Sequence, residues 1–245
     1  MSEINEVLLY YRKKAGFAEQ LSENFQQEVI KEWLNYLSKD QLMKKWKVLD
    51  FGSGLGCNLK TLKNFFTHIV ATDINTTALE ISKKKYGNNI FYVLLKKEKL
   101  PFRDKTFDLV LANEVLEHVP DQRKTIKEIE RIIKDSGYLL LSCPNYFNLT
   151  GVVKKFKDFK KTRPMWGPWG GHEGGLERFT TWYSMEKMLK NFQIILRRGA
   201  DYHKAWFYNN PMIPVRLRKY ILLWPGKLPF INKLGMNYFI LSKKK

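Results

Sequence analysis

A glycine-rich turn that begins with a carboxylate is the feature of this chain best suited to hold a charged ligand. The stretch VLDFGSGLG places Asp50 two residues before Gly52, and Gly54 and Gly56 follow at alternate positions. The dinucleotide-binding pattern requires a third glycine where Cys57 stands, which weakens a nicotinamide interpretation. A carboxylate at position 50 would also repel a pyrophosphate, whereas it suits a cationic ligand. A tight turn that holds no ligand is the alternative.

A second acidic residue, Asp73, directly follows the apolar run HIVAT and stands 21 residues beyond Gly52. A carboxylate at the tip of the second strand of such a fold can accept hydrogen bonds from both ribose hydroxyls. The alternative role is an N-cap of the following helix. S-adenosylmethionine combines a ribose with an ammonium group and a sulfonium, and it has no phosphate. Asp50 and Asp73 together therefore favour this cofactor.

These two segments belong to a longer series of motifs. VLDFGSGLG, VATDIN, LPFRDKTFDLVLANEVLEHVPD and GYLLLSCPN resemble, in order and spacing, the motifs of class I S-adenosylmethionine-dependent methyltransferases. The resemblance covers residues 46–145, continues more weakly through 172–195, and points to the small-molecule branch that includes ubiquinone-biosynthesis O-methyltransferases. It implies that S-adenosylmethionine is held by Asp50, Gly52, Ser53, Gly54, Gly56, Asp73, Ile74, Lys97, Asn113 and Glu114.

One position departs from the family pattern. Family members often have an acidic residue, four positions before the leucine of the LPF motif, that accepts a bond from the adenine amino group. This chain has Lys96 there, and a lysine side chain has no acceptor. We therefore expect backbone groups of residues 96–98 to bind the adenine. An inactive cofactor-binding protein is the interpretation that Lys96 favours, while the intact Asp50, glycines and Asp73 oppose it.

Apolar runs that alternate with helical patterns predict the fold. The runs at 47–51, 68–72, 90–95, 107–112 and 137–142 are mostly continuous, as expected of strands covered on both faces. Helix-like stretches near 57–66, 76–86 and 122–134 separate them, which predicts an α/β, doubly wound parallel sheet. Ligands of such sheets lie at the carboxyl ends of the strands. The resemblance implies seven strands in the order 3-2-1-4-5-7-6, with the last strand antiparallel.

The chain is long enough for one domain, which we divide into four parts. An N-terminal helical cap (1–45) contains an amphipathic helix over 17–37, which we expect to pack across the edge or mouth of the main fold. The cofactor-binding core (46–143) comes next, and a substrate-side insertion with a helix at 181–192 covers 144–192. The last part (193–245) contains strands at 193–200 and 236–245, with a basic and aromatic lid insertion at 203–235 between them.

Candidate catalytic residues follow the fourth strand and lie in a glycine-rich stretch further on. Glu114, Glu117 and His118 stand at i, i+3 and i+4, so they would share one face if that segment were helical. The resembling quinone methyltransferases carry a similar set, for which a divalent metal role is implied. The alternative is that Glu117 and His118 cap and pack the turn, and we predict no metal. His118 and His172 are the candidate bases, since histidine can accept a hydroxyl proton near neutral pH; a structural role for His172 in its loop is the alternative.

The uneven positive charge bears on partners. The net charge is +19, of which residues 151–163 carry +5 and residues 201–245 carry +8. Such clusters favour an anionic partner, although solvated lysines explain them equally well. A nucleic-acid methyltransferase is disfavoured, because the fourth-strand loop reads ANEV rather than Asn/Asp-Pro-Pro-aromatic. Cys143, in SCPN, does not match the Pro-Cys order of RNA cytosine methyltransferases and is interpreted as a small buried residue.

The acceptor is therefore predicted to be a small or lipid-like molecule, and an anionic acceptor would match the charge. Aromatic and basic residues alternate through 205–235, a composition typical of segments that lie at a membrane surface. A lid that packs its aromatic residues over the substrate cleft is the alternative. No apolar run approaches membrane-spanning length, and the first residues lack a secretory pattern. We expect a cytoplasmic protein, with peripheral membrane contact through 205–235.

Overall fold

The structure is a computed structural model, and it describes residues 25–39, 42–96, 99–148, 180–200 and 224–245. Its strands are β1 (Lys47–Phe51), β2 (His68–Asp73), β3 (Ile90–Leu94), β4 (Phe107–Asn113), β5 (Ile133–Pro144), β6 (Phe192–Ala200) and β7 (Asn237–Lys244). The α-helices of these ranges are α1 (Phe25–Leu37), α2 (Leu59–Leu62), α3 (Thr76–Tyr86), α4 (Gln122–Ile132) and α5 (Trp182–Met188). Short 3₁₀ helices occur at Met43–Lys45, Leu116–His118, Pro225–Lys227 and Ile231–Leu234.

All seven strands form one sheet in the order β3-β2-β1-β4-β5-β7-β6. The first five strands pair in parallel, and β7 lies antiparallel between β5 and β6. The predicted fold class and strand order are confirmed. Because Pro144 pairs with Asn237, the start of β7 lies at the carboxyl edge of the sheet, beside the end of β5.

The sheet is buried on both faces, which explains the continuous apolar runs. On one face, side chains such as Leu49 and Val110 pack against α4 and α5. On the other face, their sequence neighbours Val48 and Leu109 pack against α1 and α2. Successive residues of a strand point to opposite faces, so a strand covered on both sides needs apolar residues at every position.

Local signals set the ends of several helices. The Asn75 side chain accepts a hydrogen bond from the amide of Ala78 at the start of α3, and Asp121 accepts one from Lys124 at the start of α4. Thr181 and Ser184 form a capping box at the start of α5. Such caps satisfy amides that have no partner within the helix. The helices therefore begin where their capping side chains stand.

Two predicted elements differ in length from the observed ones. The helix predicted near 57–66 is reduced to Leu59–Leu62. The helix predicted over 122–134 ends at Ile132, and β5 begins directly at Ile133, which pairs with Phe107. Ile133 is fully buried, so an apolar residue that fits the helical pattern instead begins the strand. Tertiary pairing decides between the two.

Helix α1 links the N-terminal part of the chain to the last strands. Its face packs on the sheet through residues such as Trp33, whose ring meets Phe239 edge to face at 6.3 Å. Glu32 pairs with the nearly buried Arg198 of β6 and, at 3.2 Å, with Lys227. The helix therefore lies over one face of the sheet rather than across its edge, and only its first turn reaches the mouth. In the part of the chain that is described, no helix is both long and apolar enough to cross a membrane.

Several predicted segments lie outside the described residues. These are 17–24 of the predicted first helix, 149–179 of the substrate-side insertion, and most of the basic and aromatic insertion (203–223). The remainder of that insertion, 224–235, is described and packs against β6. Gly226 lies so close to Gly199 that a Cβ atom would come within 1.7 Å of the Gly199 carbonyl oxygen. This contact places residues 224–235 at the carboxyl edge of the sheet.

Candidate functional site

Asp50 occupies a buried position in β1, where one carboxylate oxygen has a partner and the other does not. Asn58 Nδ2 donates a hydrogen bond of 3.0 Å to Asp50 Oδ1. Asp50 Oδ2 is buried and has no hydrogen-bond partner among the described residues. Burial raises the pKa of Asp50 to about 7, with a further contribution from the charge of Asp73 that the Asn58 hydrogen bond opposes. A cationic group placed beside Oδ2 would satisfy this carboxylate and favour its ionised form.

Asp73 ends the neighbouring strand β2 and orders the two loops that meet there. Its Oδ2 accepts a 2.8 Å hydrogen bond from the amide of Gly54, and its Oδ1 accepts one of 2.8 Å from the amide of Asn75. Burial raises the pKa of Asp73, and these backbone donors oppose the shift. The carboxylate is not the N-cap of α3, because Asn75 has that role. A carboxylate keeps further lone pairs on both oxygens, so Asp73 can still accept hydroxyl groups.

The glycine turn connects these two carboxylates. Gly52, Gly54 and Gly56 all have positive φ angles, of 71°, 52° and 82°. A Cβ atom on Gly54 would meet nothing within 4 Å, so this part of the turn borders open space. The buried Ser53 between them has a hydroxyl with no hydrogen-bond partner among the described residues. The turn therefore offers a cradle, with unused polar groups, at the carboxyl ends of β1 and β2.

Gly56 has a different task, because it lets the turn pack against α3. A Cβ atom there would lie 2.4 Å from Ser82 Oγ and 2.7 Å from the Tyr86 ring. We expect Gly56→Ala to destabilise the fold by about 2–3 kcal/mol, from overpacking added to the positive φ. Gly54→Ala, the matched control, should cost about 1 kcal/mol because only the backbone strain applies. Urea denaturation of both variants measures the difference, and equal losses would contradict this packing role.

Asn113 and Glu114, at the end of β4, are held in a polar network. Ser142 Oγ lies 2.6 Å from Asn113 Oδ1 and 3.0 Å from Glu114 Oε1. Asn237 Nδ2 donates to Glu114 Oε2 at 3.0 Å, which links the network to β7. Glu114 has a φ of +55°, a conformation that is costly for a residue other than glycine. The network fixes the backbone of residues 113 and 114 at the carboxyl end of β4.

Several of these polar residues were not predicted from the sequence. Asn58 donates to Asp50 and accepts from Gln27 and Asn113, and Asn113 also donates to Gln26. The two glutamines come from the first turn of α1. The signal that could have identified Asn58 is its place among apolar neighbours at the start of a helix, where a buried amide needs several partners. The glutamines carry no comparable signal, since their contacts cross 31 or more residues.

The second cluster of predicted residues follows Glu114. The condition under which Glu114, Glu117 and His118 would share one helical face is not met, because only Leu116–His118 is helical and Glu114 has a left-handed backbone. Glu117 is buried, and His118 Nε2 lies 3.8 Å from its Oε1. Within the described ranges, no group of three His, Cys, Asp or Glu side chains could hold a metal ion.

Cys143 lies beside the same acidic residues. It is fully buried, and burial together with the neighbouring Glu117 and Glu114 raises the pKa of its thiol well above the usual value. A thiol of this kind is a poor nucleophile. The structure therefore agrees with a small buried residue rather than a reactive cysteine.

Four further residues were singled out in the sequence, and two of them lie in the described part of the chain. Ile74 is half-buried and packs on the core below the sheet edge. Lys96 is exposed just beyond the end of β3, where the Leu95 amide donates to the Asp73 carbonyl. Lys97 and His172 lie outside the described residues. The structure thus brings together Asp50, Ser53, Gly54, Asp73, Asn113 and Glu114 at one edge of the sheet.

This geometry can bind a ligand that has a cationic group and a pair of hydroxyls. Comparison with known proteins identifies which family has this arrangement. Residues 49–141 match the family described as "Methyltransferase domain". An uncharacterized protein of Methanocaldococcus jannaschii is 37% identical over 141 residues, which is 56% of this chain and 58% of that protein. The ubiquinone/menaquinone biosynthesis C-methyltransferase UbiE of Haemophilus ducreyi is 36% identical over 106 residues, which is 40% of this chain and 41% of that protein. The chain thus matches less than two thirds of the length of these curated relatives.

Solved structures support the same fold over the whole chain. An S-adenosylmethionine-dependent methyltransferase of Thermotoga maritima superimposes with a TM-score of 0.65 at 18% identity, covering 100% of both chains. One from Methanosarcina mazei gives a TM-score of 0.61 at 19% identity, covering 85% of this chain and 96% of the other. The sequence match and the fold agree. Residues 49–141 are therefore similar to a methyltransferase domain, and this match together with the fold indicates S-adenosylmethionine as the cofactor.

Proposed function

We propose that this protein transfers the methyl group of S-adenosylmethionine to an oxygen atom of a small or lipid-like acceptor. One observation carries the proposal: two carboxylates flank an open glycine turn at the ends of adjacent strands, and one of them has a buried oxygen with no hydrogen-bond partner among the described residues. An NAD-type pyrophosphate would be repelled by Asp50, whereas an ammonium group would be attracted.

Each part of the cofactor has a residue suited to it. Asp50 and the hydroxyl of Ser53 suit the methionine end, and Asp73 suits the ribose hydroxyls, because charged acceptors bind hydroxyls strongly. Asn113 and Glu114 contribute backbone groups held by Ser142. Backbone groups beyond β3 would bind the adenine, because the exposed Lys96 side chain has no hydrogen-bond acceptor.

The bound cofactor supplies an already activated methyl group, so the protein mainly has to align the acceptor with it. A hydroxyl acceptor must also lose a proton, for which a histidine is suited. His118, at the carboxyl edge beside the buried Glu117, and His172 are the two candidates. Their roles can be separated by mutation, because each side chain can be removed alone.

Methylation of a carbon atom is the second candidate. It is favoured by the relative from Haemophilus ducreyi, which is named as a C-methyltransferase. The two reactions use the same cofactor site and differ in the acceptor atom. The labelled product identifies the reaction, since an O-methyl group and a C-methyl group differ in chemical stability and in their NMR spectra.

The site is tested first by cofactor binding. Asp73→Asn removes the charge and leaves one acceptor oxygen in place of two, so we expect the dissociation constant for S-adenosylmethionine to rise about tenfold. Isothermal titration calorimetry measures this, with S-adenosylhomocysteine as the second ligand. An unchanged constant would remove Asp73 from the site.

Activity is tested by transfer of labelled methyl groups into a fractionated cell extract, followed by identification of the labelled product. The Asp73→Asn variant is the control for labelling that does not depend on this site. Tight binding of the cofactor without labelling of any fraction would favour a binding protein that does not react. Labelling confined to RNA would favour a nucleic-acid methyltransferase.

A further inference from the structure

Exposed apolar side chains are concentrated at one end of the described structure. Ten large hydrophobic side chains of the described residues are exposed, and six of them come from residues 147, 183 and 224–234. Phe230 is 81% exposed, and Phe147, Tyr183 and Leu234 are between 54% and 58% exposed. Single exposed apolar residues are common, but a cluster of this size marks an interaction surface.

Direct contacts join Phe147, Trp182, Tyr183 and Lys233, and Phe230 and Leu234 lie beside Lys233 in the same 3₁₀ segment. We call these six residues the rim patch. The Trp182 ring meets Phe147 at 6.1 Å and Tyr183 at 5.7 Å, measured between ring centroids. Lys233 Nζ lies 4.1 Å from the centroid of the same tryptophan ring. The patch is therefore continuous across the end of β5, helix α5 and the 3₁₀ helix before β7.

A buried amide holds these three segments in place. Asn145 Nδ2 donates to the carbonyls of Lys233 and Gly235 at 2.8 and 2.9 Å, and its Oδ1 accepts from the Trp182 amide at 3.0 Å. Asn145 is 1% exposed. Because these bonds are shielded from water, the patch is a rigid part of the fold.

The rim patch adjoins the candidate site. Asn145 directly follows β5, whose last residue Pro144 pairs with Asn237. Asn237 in turn donates to Glu114 at the end of β4. The rim patch therefore lies beside the candidate cofactor site. A binding partner that contacts the patch would be next to the place where an acceptor has to approach the cofactor.

The charged side chains that lie over the aromatic rings of the rim patch are lysines. Lys187 Nζ lies 5.9 Å from the centroid of the Tyr183 ring, and Lys233 lies over Trp182. Residues 224–236, which lie at this edge of the sheet, contain two lysines, Lys227 and Lys233, and no acidic residue. Exposed aromatic and aliphatic side chains with lysines among them are the composition that binds the interface of an anionic bilayer. A basic surface that bound nucleic acid through phosphates would not require the exposed aliphatic Leu234 or the neighbouring Ile231.

We propose that the rim patch docks the protein peripherally on anionic lipid membranes, so that an acceptor with an apolar chain enters the cleft from the bilayer. This inference rests on the proposed function for its acceptor class, but the docking itself does not require activity. Phe230 and Leu234 enter the boundary between headgroups and acyl chains, and Lys187 and Lys233 contact the anionic headgroups.

The experiment is co-sedimentation with phosphatidylcholine vesicles that contain an increasing fraction of phosphatidylserine, at low and high salt. We expect binding to increase with the anionic fraction and to fall at high salt, because the lysines contribute through screened charge. Phe230→Gly should weaken binding about tenfold, and Lys233→Ala about fivefold. Phe230 has a φ of +67°, so glycine removes the aromatic ring without backbone strain.

The matched control is Phe91→Ser. Phe91 is 71% exposed and lies on β3, the outer strand on the other side of the sheet from β6. We expect its vesicle binding to equal that of the wild type. Absence of sedimentation on strongly anionic vesicles at low salt would overturn the proposal, as would equal effects of Phe91→Ser and Phe230→Gly. Retention of RNA that Phe230→Gly and Lys233→Ala weaken, without vesicle binding, would instead assign the patch to nucleic acid.

Calorimetric titration of the same preparations with S-adenosylmethionine keeps the two proposals separate. Protein that binds the cofactor but not the vesicles contradicts only the docking surface. Protein that binds vesicles through Phe230 and Lys233 but not the cofactor supports the docking surface and contradicts the proposed function.

Discussion

Replacing Asp50 by asparagine is expected to raise the dissociation constant for S-adenosylmethionine by about 100-fold at neutral to alkaline pH. The side chain is fully buried, and its Oδ2 has no hydrogen-bond partner among the described residues. An ammonium group bound there would lose its counter-charge in the variant, and a buried unpaired charge is costly. Asparagine keeps the shape and can still accept the hydrogen bond from Asn58.

The pH dependence of binding provides a second readout. Because the pKa of Asp50 is raised to about 7, part of the carboxylate is protonated near neutral pH and cannot pair with a cation. The wild-type affinity should therefore fall by up to about tenfold for each pH unit below 7. Calorimetry at several pH values measures this slope, and Asp50→Asn should lack it. A wild-type affinity that is independent of pH below 7 would contradict the assignment.

The stability of the fold should depend on pH in the opposite direction to cofactor affinity, so that it falls as pH rises towards 7. Below the pKa of about 7 the folded protein keeps a proton on Asp50, whereas the unfolded chain releases it near the usual aspartate pKa of 3.8. Folding therefore takes up a proton between these values, so the contribution of Asp50 to stability falls as pH rises through this window and is constant above it. Asp50→Asn should be at least as stable as the wild type at pH values above 7. Asp135→Asn, at an exposed position near the start of β5, is the control for loss of one negative charge.

Removal of the imidazole of His118 should lower turnover by about 100-fold or more, with the affinity for S-adenosylmethionine unchanged. The residue lies in the 3₁₀ helix after β4, and its ring is partly exposed beside the buried Glu117 carboxylate. A carboxylate in this position can orient an imidazole that takes a proton from the acceptor. His118→Ala is therefore expected to change kcat rather than the cofactor dissociation constant.

His172→Ala is the matched comparison, since His172 is the other candidate base. The pH profile of kcat identifies the group, because removal of the true base should eliminate the decline in rate at acidic pH. Loss of less than a few-fold in His118→Ala, together with a large loss in His172→Ala, would assign the role to His172. Glu117→Gln should shift the pH profile if Glu117 orients His118, and should leave the profile unchanged if Glu117 is only structural.

The cofactor site could largely be predicted from the sequence because its residues are close together along the chain. Asp50, the glycines and Asp73 stand within 24 residues. The strand-turn-helix-strand pattern that contains them brings the ends of neighbouring parallel strands to one edge. Their positions relative to one another depend on local geometry, and the structure has the two aspartates in the adjacent strands β1 and β2 with the glycine turn after β1. The continuous apolar runs likewise predicted a sheet covered on both faces.

Contacts between distant segments could not be predicted in the same way. The partners of Asn113 include Gln26, which is 87 residues away, and Glu114 is bound by Asn237, 123 residues further along the chain. Periodicity describes which face of a helix or strand is apolar, but not which polar side chain it will meet. Residues 114–118 do not form one helical face but a left-handed residue followed by a short 3₁₀ helix. The reason is again a contact between distant segments, because the bonds of Ser142 and Asn237 hold Glu114 in place.

The sequence by itself determined the sheet, its strand order through family resemblance, and the pair of carboxylates that suit S-adenosylmethionine. Only the tertiary structure decided that one oxygen of Asp50 is buried without a partner among the described residues, because Asn58 bonds only the other oxygen. It also decided that Phe147, Trp182 and Lys233 form one exposed surface, since the buried Asn145 joins segments that are far apart in sequence. Burial and long-range hydrogen bonding depend on the whole fold, whereas strand and turn patterns depend on neighbours along the chain.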